Sequence, residues 1–166
     1  MDEQLSIGPA GWTGNGASGG LISRHHLGSN PSPAPNSKAV GERTEGIILG
    51  HLMRLGLSVL VPFGNNQRYD LVFDDGKKLW KCQCKTGRLR NGTVICNACS
   101  VNGFTGITRG YKGQVDCFLI YCPDNDKIYK VPIDKVGERL ISLGIDQRLN
   151  PRVRMKPRLW AQDYEI

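Results

Sequence analysis

The run Tyr69-Asp70-Leu71-Val72-Phe73 is apolar except for one carboxylate, and shortly after it Leu79-Trp80-Lys81-Cys82-Gln83-Cys84 leads into Lys85. Extended chain alternates its side chains between two faces, so Lys81, Gln83 and Lys85 share one face while Trp80, Cys82 and Cys84 share the other. A strand with one polar and one apolar face is half buried, and a lysine beside a glutamine on an inner strand is costly unless both have partners. The turn Asp74-Asp75-Gly76-Lys77-Lys78 reads as a hairpin loop that returns the chain and sets Asp70 beside Gln83 and Lys85. Those parts suit phosphodiester hydrolysis. They offer hard oxygen ligands for Mg²⁺, and a cation to orient the attacking water and offset the charge growing on the phosphate.

These residues must be positioned by the elements around them. Ser37 is a plausible N-cap for a helix from Lys38 to about Leu55, with Val40, Ile47, Ile48, Leu52 and Leu55 at helical spacing and Gly56 as its stop. On that helix Glu45 lies about 85° from the centre of the apolar stripe and Glu42 about 145° away. Glu45 therefore reaches a site at the edge of the core as a third oxygen donor, whereas Glu42 faces solvent. His51, on the apolar face, reads as a satisfied core histidine. β-rich runs follow at 57–63, 69–73, 78–84, 93–98, 116–122 and 127–132, separated by turn residues. Asp116 opens the fifth of these as a cap, a salt-bridge partner or an outer group of the site, with a structural role preferred. A second helix is expected from about Ile133 to Leu143, ended by Gly144. The tail beyond it alternates basic and apolar residues around two prolines and is left unassigned. The fold class is α/β, with a mixed central sheet flanked by helices.

Residues 1–37, rich in Gly, Ser, Pro and Asn, read as a disordered leader in which His25 and His26 are a solvated pair; residues 38–166 read as one domain. The leader has neither the basic opening nor the apolar run of a signal peptide, and no stretch approaches the ~18 apolar residues of a membrane span. A cytoplasmic protein is expected, with its six cysteines reduced. Cys82, Cys84, Cys96 and Cys99 could form a structural zinc site, but Cys82 and Cys84 fall on the apolar face of their strand and read better as small core fillers.

The 22 Lys and Arg against 15 Asp and Glu, a net charge of +7, suit a protein that meets a polyanion, nucleic acid first. Arg88 and Arg90 follow Lys85 closely, Arg109 and Lys112 bracket Tyr111, and Arg148, Arg152, Arg154, Lys156 and Arg158 run through the tail. Such side chains can follow a phosphate backbone, and arginine can also read guanine edges.

A helix bearing Glu45, an apolar strand, Asp70, a hairpin and then Gln83-x-Lys85 resembles the PD-(D/E)XK nuclease superfamily, with its group I intron-associated, homing-endonuclease branch as the closer match. The segments GERTEGIILGHLMRLGLSVLVPFGNNQRYDLVF, LWKCQCKTGR, YKGQVDCFLIYCPDNDKIYKVP and WAQDYEI fall in the order of that branch, over residues 38–166. The resemblance implies a restriction-endonuclease-like core and a Mg²⁺ site, with Mn²⁺ able to substitute. In it Asp70 binds the metal, Glu45 binds or orients it through water, the Cys84 carbonyl is a further ligand, and Lys85 positions water and stabilises the transition state. Tyr69 stands where the superfamily has proline, which does no chemistry. Gln83 replaces an acid, and its amide oxygen can ligate Mg²⁺ without adding charge.

The function expected is site-specific double-strand cleavage of DNA. Cutting both strands needs two active sites, hence a homodimer or homotetramer. A resolvase or repair nuclease on the same fold and a non-catalytic nucleic-acid-binding module, of which a zinc-stabilised domain is a variant, are the alternatives.

Overall fold

The structure is a computed structural model, and it describes residues 36–64, 66–145 and 159–166. The glycine- and proline-rich leader, apart from Asn36 and Ser37, and the basic tail segment with Arg148, Arg152, Arg154, Lys156 and Arg158 lie outside the described residues.

Helix α1 spans Ser37–Arg54. Its cap is Asn36, not Ser37: the Asn36 side chain accepts the Lys38 N–H at 3.0 Å, supplying one of the four amides that a helix start leaves without a partner. The other end closes on Gly56, whose φ of +78° only glycine adopts cheaply. Gly56 N–H donates to Met53 O at 3.0 Å and Leu57 N–H to Leu52 O at 3.2 Å, the paired bonds of a Schellman stop.

The five-stranded main sheet has the order β1 (Ser58–Leu60), β2 (Leu71–Asp74), β3 (Leu79–Thr86), β8 (Cys117–Cys122), β9 (Lys127–Pro132). β3 and β8 are parallel and the other neighbours antiparallel, so the sheet is mixed. The β2–β3 hairpin forms where expected. Asp74 and Asp75 hold its turn by accepting the N–H groups of Gly76, Lys77 and Lys78. On one face lies α1: Ile48 and Leu52, both fully buried, pack with Leu71, Phe73, Cys82, Cys84, Cys117 and Leu119. Each such aliphatic side chain contributes about 2 kcal/mol on burial.

The opposite face is covered by a second sheet rather than by helices. Its order is β11 (Leu159–Trp160), β10 (Leu140–Gly144), β5 (Thr93–Asn97), β4 (Arg88–Arg90). Val94, Ile141 and Leu143 belong to the same core cluster as Phe118, Ile120 and Val131 of the main sheet. A two-stranded ribbon, β6 (Ser100–Val101) and β7 (Thr108–Arg109), lies between β5 and β8 in the chain.

The expected second helix is therefore wrong. Residues Ile133–Lys135 form one turn of 3₁₀ helix, and β10 then pairs antiparallel with β5 from Leu140↔Asn97 to Gly144↔Thr93. Ile133, Val136 and Leu140 do fall at helical spacing, but Gly137 weakens a helix there, and Ile141 and Leu143 alternate into the second core.

The chain passes from the main sheet to the second at Gly87, between β3 and β4. A Cβ on Gly87 would sit 2.8 Å from Val94 Cγ1 and 3.0 Å from Ile120 Cγ2. The two sheets meet there too closely for any side chain.

Candidate active site

Asp70 sits one residue before β2, and its amide continues the hairpin by donating to Cys82 O at 2.9 Å. The last register pair of the two strands is Leu71↔Cys82. The next amide that β3 turns to that side, Cys84 N–H, has no strand opposite it and donates instead to Asp70 Oδ2 at 2.7 Å. The Gln83 side-chain N–H₂ donates to the same oxygen and lies 3.5 Å from Cys84 O. The amide thus rests between a carboxylate and a peptide carbonyl, the place a cation would take.

Glu45 lines a cleft of about 370 Å³ together with Asp70, Gly41, Pro62 and Tyr69, and Glu42, expected to face away from the site, borders the same cleft one turn earlier on α1. The placement of Glu45 depends on α1 being locked to β3: buried Thr44 Oγ1 lies 2.7 Å from Thr86 Oγ1. Glu45 and Lys85 are the chain neighbours of those two threonines, so this hydroxyl pair, together with the packing of Ile48 and Leu52, holds the helix against the end of β3 that carries Lys85.

The electrostatics show a shortage of positive charge. Burial raises the Asp70 carboxyl above its usual range, although the Cys84 N–H, the Gln83 amide and the Lys85 charge pull it back in part. Partial burial, followed by repulsion from Asp70 and Glu42, raises Glu45 as well. Two carboxyls raised chiefly by burial, one of them also by the charge of the other, fit a site for a divalent cation, which would favour the ionised form of both. The donors are all hard oxygens: the Asp70 and Glu45 carboxylates, the Gln83 amide oxygen and the Cys84 carbonyl. They suit Mg²⁺ or Mn²⁺ better than zinc.

The thiols are arranged against zinc. Cys82 and Cys84 lie in the core beneath α1, Cys96 lies in the core between the sheets, and Cys99 is half-buried elsewhere. Among the described residues no group of three or more His, Cys, Asp or Glu side chains is set to hold a metal. The Cys82 thiol is raised by its contact with Cys117 and by burial, and Cys84 is raised by burial and by the Asp70 and Glu45 charges. Burial, chiefly, pushes Cys96 up to about 12, with the nearby Lys85 charge opposing it. These thiols stay protonated as core fillers.

Lys85 is half-buried, and its ammonium donates to Tyr111 Oη at 3.3 Å. Tyr111, noted in the sequence only as the residue between Arg109 and Lys112, is thus part of the site's surroundings. Its signal was a lone aromatic in a polar, Gly-rich segment. Arg88 and Arg90 are exposed on β4 and flank inward-facing Leu89; Arg109 on β7 and Lys112 beyond it are exposed too. Asp116 proves structural, accepting from Lys81 N–H at 2.8 Å and Lys78 Nζ at 3.2 Å. His51 is not the satisfied histidine expected, since its Nε2 is closed from solvent and finds no hydrogen-bond partner among the described residues.

The sequence profile of the PD-(D/E)XK endonuclease family matches residues 35–166, and the chain belongs to that family. Family members generally use divalent metals, typically Mg²⁺. Among solved structures the chain is similar to a bacterial homing endonuclease, I-Ssp6803I, at 24% identity and a TM-score of 0.61, covering 79% of this chain and 89% of that one. It is also similar to the Holliday junction resolvase Hjc of Archaeoglobus fulgidus, at 14% identity and a TM-score of 0.41, covering 63% and 84%. Curated proteins offer no match.

Proposed function

We propose that this protein is a metal-dependent DNA endonuclease that cuts both strands at a specific site, in the manner of a homing endonuclease. The observation that carries the reading is the Asp70 carboxylate, tied to Cys84 N–H and Gln83 at the mouth of a cleft that Glu45 also lines, with Lys85 one position further along the same strand. The homing character extends from the likeness to I-Ssp6803I.

Asp70, Glu45, the Gln83 amide oxygen and the Cys84 carbonyl would hold Mg²⁺, with Mn²⁺ as a substitute. When bound, the ion supplies Lewis-acid stabilisation of charge on the phosphate oxygens. The chain's own residues do the rest. The Lys85 ammonium orients the attacking water and offsets the negative charge that builds as water adds to phosphorus and one P–O ester bond breaks. Gln83 would present its amide oxygen to the cation in place of the amide nitrogen that donates to Asp70 Oδ2. Arg88, Arg90, Arg109 and Lys112, with Arg152, Arg154, Lys156 and Arg158 of the tail, would line the duplex backbone. Two copies of the site would serve a double-strand cut, so the proposal includes a homodimer or homotetramer.

The test is incubation of the full chain with a DNA pool that includes the sequence flanking its own coding region, with Mg²⁺ or with chelator, followed by mapping of the ends. Discrete double-strand ends that require Mg²⁺ support the proposal. Binding without cleavage of that pool favours a nucleic-acid-binding module instead.

A further inference from the structure

A lysine ammonium at the end of four rotatable bonds is a poor catalytic group unless something fixes it, and both its charge and its entropy resist fixing. Among the described residues outside the nuclease motif, Tyr111 receives it. Tyr111 is only 4% exposed, and Lys85 Nζ donates to its Oη at 3.3 Å while lying 5.0 Å from the ring centroid.

The ring is itself held from two directions. Its edge meets Phe118 at a centroid distance of 5.6 Å and an interplanar angle of 88°, and Phe118 is the register partner of Gln83 across β3 and β8. The guanidinium of Arg68 lies 4.3 Å from the ring centroid. Arg68 is fixed in turn, donating from Nε to Gln114 Oε1 at 2.6 Å, from Nη1 to Ser100 Oγ at 3.0 Å and from Nη2 to Gly110 O at 2.9 Å. Since Arg68 precedes Asp70 by two residues, the ring connects the loop that carries the metal-binding carboxylate with the end of the catalytic lysine. Two cations share one aromatic ring, the kind of contact that strengthens as water is excluded.

We infer that Tyr111 is a positioning residue for Lys85, and that Arg68 locks its ring from the Asp70 side. The phenol oxygen receives the ammonium and selects one of its many rotamers. The base of the β6–β7 ribbon, where Ser100 and Gly110 accept from Arg68, is thereby tied to the same group. The inference rests on the nuclease reading of Lys85 given above.

Tyr111→Phe removes one oxygen and keeps the ring, so its contacts with Phe118 and Arg68 persist and the fold is spared. Single-turnover cleavage by the variant should be about tenfold slower than by wild type, in keeping with the sensitivity of catalysis to small misplacements. DNA affinity and melting temperature should stay within a factor of two and within a degree or two respectively. A readout independent of cleavage is the ¹⁵Nζ correlation spectrum of lysine-labelled protein: the Lys85 ammonium protons, slowed in exchange by the bond to Tyr111, give a signal in wild type that disappears in Tyr111→Phe. A slowed rate with unchanged affinity and a lost Lys85 signal supports the inference. Wild-type cleavage by Tyr111→Phe overturns it and leaves the nuclease reading intact, since Tyr111 would then only pack the core. Absence of cleavage by wild type itself removes the nuclease reading and this inference together.

Discussion

Asp70 Oδ2 accepts the backbone N–H of Cys84 at 2.7 Å, so the residue expected to hold the metal also completes the hydrogen bonding of the strand it faces. The carboxylate has two separable duties. In Asp70→Asn the side-chain oxygen still receives Cys84 N–H, whereas in Asp70→Ala that amide is left without a partner. Leaving a half-buried donor unsatisfied costs about 1–3 kcal/mol. Both variants should abolish cleavage, but only Asp70→Ala should lose stability of that order, read as a lower urea midpoint at unchanged slope.

The raised carboxyls of Asp70 and Glu45 set the pH dependence. A carboxyl whose folded pKa exceeds its unfolded value adds stability while protonated, and that contribution is lost as pH rises through the folded value. At neutral pH the ionised pair therefore strains the metal-free protein. Glu45→Gln should melt higher than wild type at pH 7 without metal, and the difference should vanish at pH well below 4.5, the usual value for Glu. Mg²⁺ should raise the melting temperature of wild type more than that of Glu45→Gln. Cleavage should fall off on the acid side at a higher pH than ordinary carboxyls would give.

Thr44 and Thr86 test whether the placement of Glu45 matters. Thr44→Val removes one hydroxyl of a part-buried pair and strands the other, at a cost of about 1 kcal/mol. Replacing both threonines by valine should recover most of that stability without recovering the cleavage rate. A double-mutant cycle on unfolding free energy and on rate would separate packing from positioning, and full recovery of rate in the double variant would deny Thr44 any role in placing Glu45.

Gly87→Ala should destabilise by about 1–3 kcal/mol, because the added methyl meets Val94 at 2.8 Å where the two sheets converge. Thermal unfolding in the metal-free state measures this without reference to activity. A neutral result would mean that the sheets separate locally at little cost.

The exposed cations outside the cleft should affect binding more than chemistry. Removing Arg88, Arg90 or Arg109 singly should weaken DNA binding for all sequences alike and lower the slope of log affinity against log salt by about one each, while the single-turnover rate at saturating DNA stays unchanged. An arginine whose loss instead relaxes discrimination at one base pair reads sequence rather than phosphate.

The site was legible in the sequence where its logic is local. The alternation of Lys81, Gln83 and Lys85 against Cys82 and Cys84, the hairpin turn at Asp74–Lys78 and the lone carboxylate in an apolar strand each follow from period-two geometry. The helix period turned Glu45 toward the cleft in the same way, but wrongly set Glu42 apart from it, since both line it. What was lost depends on distant partners. β10 carries apolar residues at both spacings, and its pairing with β5, more than forty residues earlier, decides in favour of the strand. β4, β6, β7 and β11 are only two or three residues long, too short for any pattern to register. Tyr111 reaches Lys85 from 26 residues away and Arg68 from 43, through loops whose course no periodicity records.

The central claim is that Asp70 and Lys85 form one hydrolytic centre on a surface that binds DNA by other residues. The most direct test is single-turnover cleavage of the protein's own flanking DNA in Mg²⁺ by wild type, Asp70→Asn and Lys85→Ala, with DNA affinity measured in parallel in Ca²⁺. Wild type should cut, and both variants should bind within a few fold of wild type yet cut at least a hundredfold more slowly. Cleavage by either variant at near the wild-type rate, with the same metal requirement, would place the chemistry elsewhere in the molecule.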